Sequence, residues 1–191
     1  MAAKRGEWRH GGPAVSGVRQ TAAMDITIRR ARDEELDGIG ELTAQVYLGD
    51  GLLDFGDSDP YLTTLRDARR RSAEAELLVA ADAASDEVLG AVAFAVYGGA
   101  YAELARPGEG EFRMLAVRPE SRRRGAAEAL VRACLDRGRA LGLRRIVISS
   151  QQSMTAAHRL YERLGFVRAP ERDWSPIAKL ELTLWAFTVE L

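Results

Sequence analysis

Apolar residues recur along this chain with two spacings, which predict alternating strands and helices. Alternation with period two is typical of strands, and recurrence at three and four residues is typical of helices. The predicted strands are residues 25–30, 76–81, 88–97, 111–117, 145–150, 166–168 and 180–191. The predicted helices are residues 34–47, 60–73, 126–141 and 153–165. The pattern therefore predicts a single domain that combines α and β structure.

The ends of the helices carry residues that favour helix termini. Asp33 is a candidate cap for the first helix, and Pro60 suits the first turn of the second. Ser153 or Thr155 is placed to cap the last helix, and Gly165 to end it.

Residues 111–130 join a strand, a basic turn and a helix. Pro119 ends the strand, and Arg122–Arg124 and Gly125 then lead directly into the helical pattern. Unpaired N–H groups at a helix start, together with the helix dipole, attract anions. Glycine lets a phosphate approach the backbone closely, and arginines add charge-assisted hydrogen bonds. The sequence predicts an anion site here, although a solvated charge run is the alternative.

Composition narrows the class of protein. The chain has 191 residues, 47% of them hydrophobic and 29% charged, which suits one ordinary globular domain. A formal net charge of −1 provides no bulk field for nucleic acid or a membrane surface. No apolar run reaches the ~20 residues of a membrane span, and no secretory signal is visible, so we expect a cytoplasmic protein.

Cysteine and histidine usage excludes two kinds of site. The chain has 1 Cys and 2 His, too few for an internal disulfide or for a metal cage built from those residues. Cys134 falls on the apolar stripe of its helix, so we expect a buried structural thiol rather than a nucleophile.

The first 23 residues differ from the rest. Residues 1–23 are glycine-rich and basic and lack any period, so we expect a flexible tail, followed by one domain over residues 24–191. Met24 directly precedes the first strand pattern, which raises the hypothesis of a start codon assigned too early.

Two segments together resemble the GNAT superfamily of acetyl-CoA-dependent N-acetyltransferases. The segment RRRGAA at 122–127, behind VRP at 117–119, resembles the acetyl-CoA-binding turn of that family. The segment AHRLYERLGF at 157–166 resembles a second GNAT segment. The resemblance covers about residues 25–191. It implies an α/β (α+β type) GNAT fold, with a mixed six- to seven-stranded sheet splayed at its centre and about four helices on both faces.

The resemblance implies acetyl-CoA as co-substrate, with no metal. The pantetheine arm of acetyl-CoA is expected in the gap between strands 111–117 and 145–150. Unpaired backbone groups there can hydrogen-bond to its amides as they would to an added strand. The implied cofactor-binding residues are Leu115, Ala116, Val117, Arg122, Arg123, Arg124, Gly125, Ala126, Ala127, Ser153 and His158. We expect His158 to line the groove or to be half-exposed, rather than to be catalytic.

Two residues depart from the family pattern. Arg123 stands where many members have glycine, and an arginine is tolerable there if its φ is negative and its side chain points to solvent. Met154 stands where an asparagine commonly contacts the cofactor, so Ser153, Thr155 or water is expected to replace that contact.

Two residues are candidates for the chemistry. In the family the tyrosine matching Tyr161 protonates the departing thiolate, whereas periodicity alone would make it a filler of an apolar helix face. A free amine has a pKa near ~10 and must lose a proton before it attacks. Glu111, where several GNAT enzymes carry a glutamate base, is the candidate acceptor of that proton. A solvated strand-end carboxylate is the alternative, and Glu109 lies near enough to substitute.

The sequence indicates the binding site of the acceptor amine less specifically than that of the co-substrate. Loop 49–60 is acidic, and carboxylates beside aromatic rings suit a cationic amine. The candidate substrate-binding residues are Tyr47, Asp54, Phe55 and Tyr97, with Tyr61, Tyr101 and Trp174 as possible additions. The alternative is a solvated loop.

The open choices for function are a small amine acceptor, a protein or peptide amine, and a catalytically silent acyl-CoA-binding module. The closing strands also offer a surface for a homodimer.

Overall fold

The computed structural model describes residues 26–176 and 182–191. Within them the seven strands are β1 (Ile26–Arg30), β2 (Glu76–Asp82), β3 (Val88–Val96), β4 (Glu109–Val117), β5 (Arg145–Gln151), β6 (Val167–Arg168) and β7 (Leu184–Glu190). The five helices are α1 (Leu36–Gly49), α2 (Tyr61–Arg66), α3 (Ala68–Glu74), α4 (Ala126–Ala140) and α5 (Thr155–Arg163). The predicted tail, 1–23, lies outside the described residues.

The sheet is mixed and opens at its centre. Its strand order is β1-β2-β3-β4-β5-β7-β6, and within it β4 and β5 run parallel while the other neighbours are antiparallel. The parallel pairing spans only Glu109–Glu111 against Arg145–Val147. Beyond it, β4 continues to pair with β3 and β5 with β7. The predicted splay between these two strands is confirmed.

A β-bulge lies on β4 beside this gap. The register with β3 shifts so that Met114 and Leu115 lie opposite Val92 alone. Met114 has a φ of 55°, a left-handed conformation that is unusual for a residue other than glycine. Such bulges increase the local twist and redirect a strand. Here the bulge lies where β4 departs from β5.

Helices cover both faces of the sheet. Because successive strand residues point to opposite faces, the sheet divides the apolar interior into two cores. One core joins α4 and α5 to the sheet through residues such as Phe112, Leu130 and Tyr161. The opposite face packs against α1, α2 and α3. Glu111 and Arg113 alternate with Phe112, so their side chains belong to the second face.

The predicted helix over residues 60–73 is wrong, because two helices meet at Asp67. That residue leaves the helical region with a ψ of 67°, and its carboxylate caps α3 by accepting the N–H of Arg70 at 2.9 Å. The guanidinium of Arg71 donates to the carbonyls of Thr64 and Leu65, both at 2.8 Å, and so stabilises the end of α2.

The predicted caps of α1 and α5 are also wrong. Asp33 lies in a short 3-10 turn before α1, where Glu35 instead accepts the N–H of Arg32 at 2.8 Å. Met154 precedes α5, and no side chain caps that helix, so Ser153 and Thr155 do not act as predicted. No helix within residues 26–176 and 182–191 has the length and apolar character to cross a membrane.

Candidate active site

Tyr161 lies beneath the gap in the sheet. Its ring packs against Phe112 at 5.9 Å and Phe187 at 5.8 Å between ring centroids. Phe112 is the first β4 residue beyond the paired segment, and Phe187 lies opposite Ile148 of β5. The tyrosine therefore contacts strands from both sides of the opening. It is 2% exposed, and burial raises its pKa, so the phenol is a proton donor at neutral pH.

Six successive backbone N–H groups are unpaired at the start of α4. Within the described part of the chain, the N–H groups of residues 123–128 have no hydrogen-bond acceptor, whereas those of Arg122 and Ala129 bond to backbone carbonyls. α4 continues for 15 residues, so its dipole adds positive potential at this end. The turn has the composition and the geometry of an anion site.

Two left-handed residues shape this turn. Gly125 has a φ of 91°, and a Cβ built on it would meet no atom within 4 Å, so its outer side is open for a ligand. Arg123 has a φ of 59°, so the negative φ that would make an arginine easily tolerated at this position is not adopted. The turn needs a left-handed residue at the position where many family members have glycine. Arginine adopts that conformation here at a steric cost of about 1 kcal/mol.

Arg122 joins the turn to the end of α1. Its guanidinium donates to the Asp50 carboxylate at 2.8 Å, and its Nε lies 3.4 Å from the Val117 carbonyl. Both charged side chains are partly exposed. The predicted anion-binding arginine is therefore held by a carboxylate that an incoming phosphate can replace.

Glu111 is fully buried, which excludes the solvated carboxylate considered from the sequence. Its Oε2 accepts the N–H groups of Leu104 at 2.7 Å and Ala105 at 3.1 Å. Its Oε1 is buried without a partner among the described residues. Burial raises the pKa of Glu111 against the opposing effects of the Leu104 N–H and the Arg113 charge. A carboxylate with one free oxygen and a raised pKa is suited to accept a proton.

Glu109 cannot substitute for Glu111 as the sequence suggested. Arg172 donates to both Glu109 oxygens, at 3.3 and 2.8 Å, and Arg145 donates at 3.1 Å. Burial acts to raise the pKa of Glu109, but the Arg172 hydrogen bonds and the Arg106 N–H outweigh it and lower the pKa. The carboxylate is saturated and holds its charge, so its role is structural.

A cavity of about 320 Å³ opens on the α1–α2 face of the gap. Its wall includes Met114 of β4, Ser149–Gln151 of β5 and the loop between α1 and α2. Gln151 donates to the Leu52 carbonyl at 2.8 Å and so holds that loop across the opening. The cavity and Tyr161 therefore lie at the same gap in the sheet.

Three of the four predicted substrate-binding residues line this cavity. They are Tyr47, Asp54 and Phe55, and Tyr61 joins them. Tyr97 does not, because β3 ends at Val96 and leaves Tyr97 in the turn, 54% exposed.

Two of the three suggested additions, Tyr101 and Trp174, are also absent from the lining. Tyr101 is buried in the core beneath α2, and Trp174 forms a β-bridge with Leu184 at the start of β7.

The cavity wall also contains an ion pair, Arg113 with Glu103, that could not be predicted from the sequence. For Arg113 the sequence does contain one signal, because it is the charged residue inside the otherwise apolar run FRMLAV at 112–117. Glu103 comes from the loop between β3 and β4, where no period marks it.

The residues around α5 are arranged differently from the expectation. His158 is 7% exposed, neither half-exposed nor in the cavity wall, and contacts Ser150 Oγ at 3.2 Å. Its ring stacks on Trp185, and burial lowers its pKa, so it is neutral. Met154 lines the cavity with Ser150, while Ser153 lies exposed outside it.

Cys134 is fully buried, and burial raises its pKa, which confirms the structural thiol. Within the described ranges, no group of three His, Cys, Asp or Glu side chains is placed to hold a metal ion.

Comparison with known families identifies this arrangement. The model of the Acetyltransferase (GNAT) family matches residues 24–166. The chain belongs to the GNAT acetyltransferase family. No curated protein matches it.

Solved GNAT structures share the fold at low sequence identity. A GCN5-related N-acetyltransferase from Kribbella flavida is 23% identical, with a TM-score of 0.63, and the match covers 87% of this chain and 98% of that one. A phosphinothricin acetyltransferase from Sinorhizobium meliloti, in complex with AcCoA, is 20% identical, with a TM-score of 0.66 and coverages of 88% and 89%. A ribosomal-protein-alanine N-acetyltransferase from Brucella melitensis is 15% identical, with a TM-score of 0.64 and coverages of 86% and 99%.

Proposed function

We propose that this GNAT protein transfers an acetyl group from acetyl-CoA to the primary amine of a small cationic molecule. The observation that carries the proposal is one gap in the sheet, with six unpaired N–H groups beyond one strand end and a buried phenol beneath it. The GNAT family and the AcCoA complex of a structural neighbour support acetyl-CoA as the donor.

The residues present fit this co-substrate. The N–H groups of 123–128, with Arg122 and either Arg123 or Arg124, would hold its phosphates. The β4 edge at Leu115–Val117, which does not pair with β5, would bind the amides of its pantetheine arm. When bound, it supplies an activated thioester carbonyl and a thiolate leaving group.

The chain's own groups would then handle the two protons. The free oxygen of Glu111, which lies behind the cavity wall, would take the proton of the bound ammonium through water, so that the neutral amine can attack. Tyr161 would donate its phenolic proton as the thiolate departs from a site with little water. The attacking nitrogen would lose its second proton as the amide forms, and that proton would return to the Tyr161 phenolate through water. Transfer is direct, because Cys134 is buried and cannot serve as an acyl carrier.

The acceptor is proposed to be small because the cavity is about 320 Å³ and Gln151 closes one side of it against the loop. Asp54 and the rings of Tyr47, Phe55 and Tyr61 suit an ammonium group. A protein or peptide amine is the second candidate, and a structural neighbour that is a ribosomal-protein-alanine N-acetyltransferase favours it.

Thiol release from acetyl-CoA, measured over a panel of amines and peptides with mass detection of the product, tests the proposal. We expect acetylation of at least one class of small amine. Binding of acetyl-CoA without transfer to any member would instead indicate an acyl-CoA-binding module.

A further inference from the structure

Arg113 is a cation placed inside the acceptor cavity. It belongs to β4, directly before the bulge at Met114, and its side chain is only 15% exposed. It is the one basic residue among the described residues of the cavity wall. Its carboxylate partner, Glu103, lies on the loop between β3 and β4 and is 41% exposed. The cation is therefore fixed, whereas its counter-ion can turn into solvent.

Other buried arginines of this chain are bound differently. Arg172 donates to both oxygens of the fully buried Glu109 and to the Leu104 carbonyl at 2.5 Å. Arg71 donates to two backbone carbonyls at the end of α2. In both cases buried acceptors that cannot leave satisfy the charge, as expected of structural residues. Among the described residues, Arg113 pairs with a single carboxylate, that of Glu103, and its other polar neighbour is the hydroxyl of Tyr61.

We infer that the acceptor amine also carries an acidic group, which binds Arg113 in place of Glu103. This inference rests on the proposed function and narrows the acceptor to amino acids and their derivatives. The carboxylate would pair with a guanidinium that is only 15% exposed and that shares the cavity wall with Tyr47 and Tyr61, and this partial exclusion of water strengthens the contact. Asp54, on the same wall, attracts the ammonium group of the same molecule.

Other amine classes fit this wall less well. A polyamine or a polycationic sugar has no anion to offer, so its charges would repel Arg113 or leave the Glu103 pair intact. The amine end of a peptide has an amide in place of the carboxylate, so its carbonyl accepts a hydrogen bond from the guanidinium but brings no negative charge. It therefore lacks both the ionic attraction and the bidentate geometry of a carboxylate on arginine.

Matched acceptors test this directly. The probes are the free L-amino acids, their C-terminal amides and the corresponding decarboxylated amines, each assayed for kcat/KM with saturating acetyl-CoA. For the preferred side chain we expect the acid to exceed its amide and its amine by about 10- to 100-fold, the range of a charge-assisted contact. For each enzyme variant, the ratio of kcat/KM for the acid to kcat/KM for the amide cancels any general effect of the substitution on the chemical step.

Two variants should change this ratio in opposite directions. Arg113→Met should bring the acid down to the level of its amide. Glu103→Gln should raise kcat/KM for the acid more than for the amide, because the internal competitor for the guanidinium is removed and the acid gains more from the freed charge. Arg70→Met and Glu74→Gln remove an exposed pair on α3, outside the cavity, and serve as controls. Melting temperatures identify any variant that fails to fold. If Arg113→Met fails to fold, Glu103→Gln still tests the inference.

The outcomes separate the inference from the proposed function. Equal acetylation of acid, amide and amine, or loss of acid acetylation in Glu103→Gln, would overturn the inference and leave the transferase intact. Absence of transfer to any amine, here and in the broader panel, would overturn the proposed function and this inference with it.

Discussion

The hydroxyl of Tyr161 is expected to matter more than its ring. Tyr161→Phe keeps the packing against Phe112 and Phe187 and removes only the donor to the departing thiolate. General acid catalysis contributes at least about 100-fold, so kcat should fall by that factor or more, while the melting temperature stays near that of the wild type. The measurement is kcat for thiol release with a saturating acceptor. An unchanged kcat would assign Tyr161 to the core alone.

Glu111 is expected to link rate and stability to pH. If it is the base, kcat/KM falls as pH drops through its raised pKa, and Glu111→Gln should lose that acidic limb together with most of the rate. A pH–rate profile with the acidic limb of the wild type would remove Glu111 as the base.

The same raised pKa has a consequence for folding. A folded-state pKa above the ordinary value means that the folded state binds the proton more tightly than the unfolded state. The favourable contribution is then present at low pH and is lost as pH rises through the folded pKa. Glu111→Gln should therefore have a higher melting temperature than the wild type at pH 8, and this difference should disappear in acid.

At the scale of elements, the pair between Arg122 and Asp50 joins the start of α4 to the end of α1. Because both side chains are partly exposed, the pair contributes little to stability, yet it occupies a guanidinium at the proposed phosphate site. Asp50→Asn should therefore lower KM for acetyl-CoA by up to about five-fold, corresponding to ~1 kcal/mol. The effect should weaken at high salt.

The control for this change is Asp37→Asn, which breaks an exposed pair with Arg69 at the opposite end of α1. It should leave KM unchanged. A higher KM in Asp50→Asn would mean that Asp50 holds Arg122 in its binding position rather than competing with phosphate.

An element can be predicted from the sequence when the residues that determine it are close together in the chain. Strands and helices follow from apolar periods, and the turn at 122–127 follows from neighbouring residues, so both could be predicted from the sequence. The break at Asp67 could not, because Leu62, Leu65 and Ala68 keep the helical spacing across it. Arg113 and Glu103 meet only because a loop folds over β4, and no spacing in the sequence reports that contact.

At the scale of the whole molecule, one buried ion cluster lies where the two halves of the sheet join. Among the described residues, strand pairing connects those halves only between Glu109–Glu111 and Arg145–Val147. At that joint Glu109 binds Arg145 of β5 and Arg172 of the segment before β7. Arg172 also donates to the Leu104 carbonyl, and so fixes the loop whose N–H groups hold Glu111. The opening that forms the candidate site thus depends on this closed end.

Arg172→Ala is therefore expected to destabilise the fold by about 3–5 kcal/mol, because among the described residues it leaves the buried Glu109 charge with only Arg145 and the Arg106 N–H as partners. In the wild type the pKa of Glu109 is lowered, so its contribution is present above the ordinary pKa and is lost only as pH falls through the folded value. In the variant, burial raises that pKa, and protonation in mild acid relieves the uncompensated charge. The loss of stability should consequently be largest near pH 8 and shrink toward pH 5, as measured by urea unfolding. Arg163→Ala, which removes an exposed pair with Glu128, should change stability little at any pH. An Arg172→Ala deficit that is independent of pH would show that lost packing, rather than the buried charge, holds this joint.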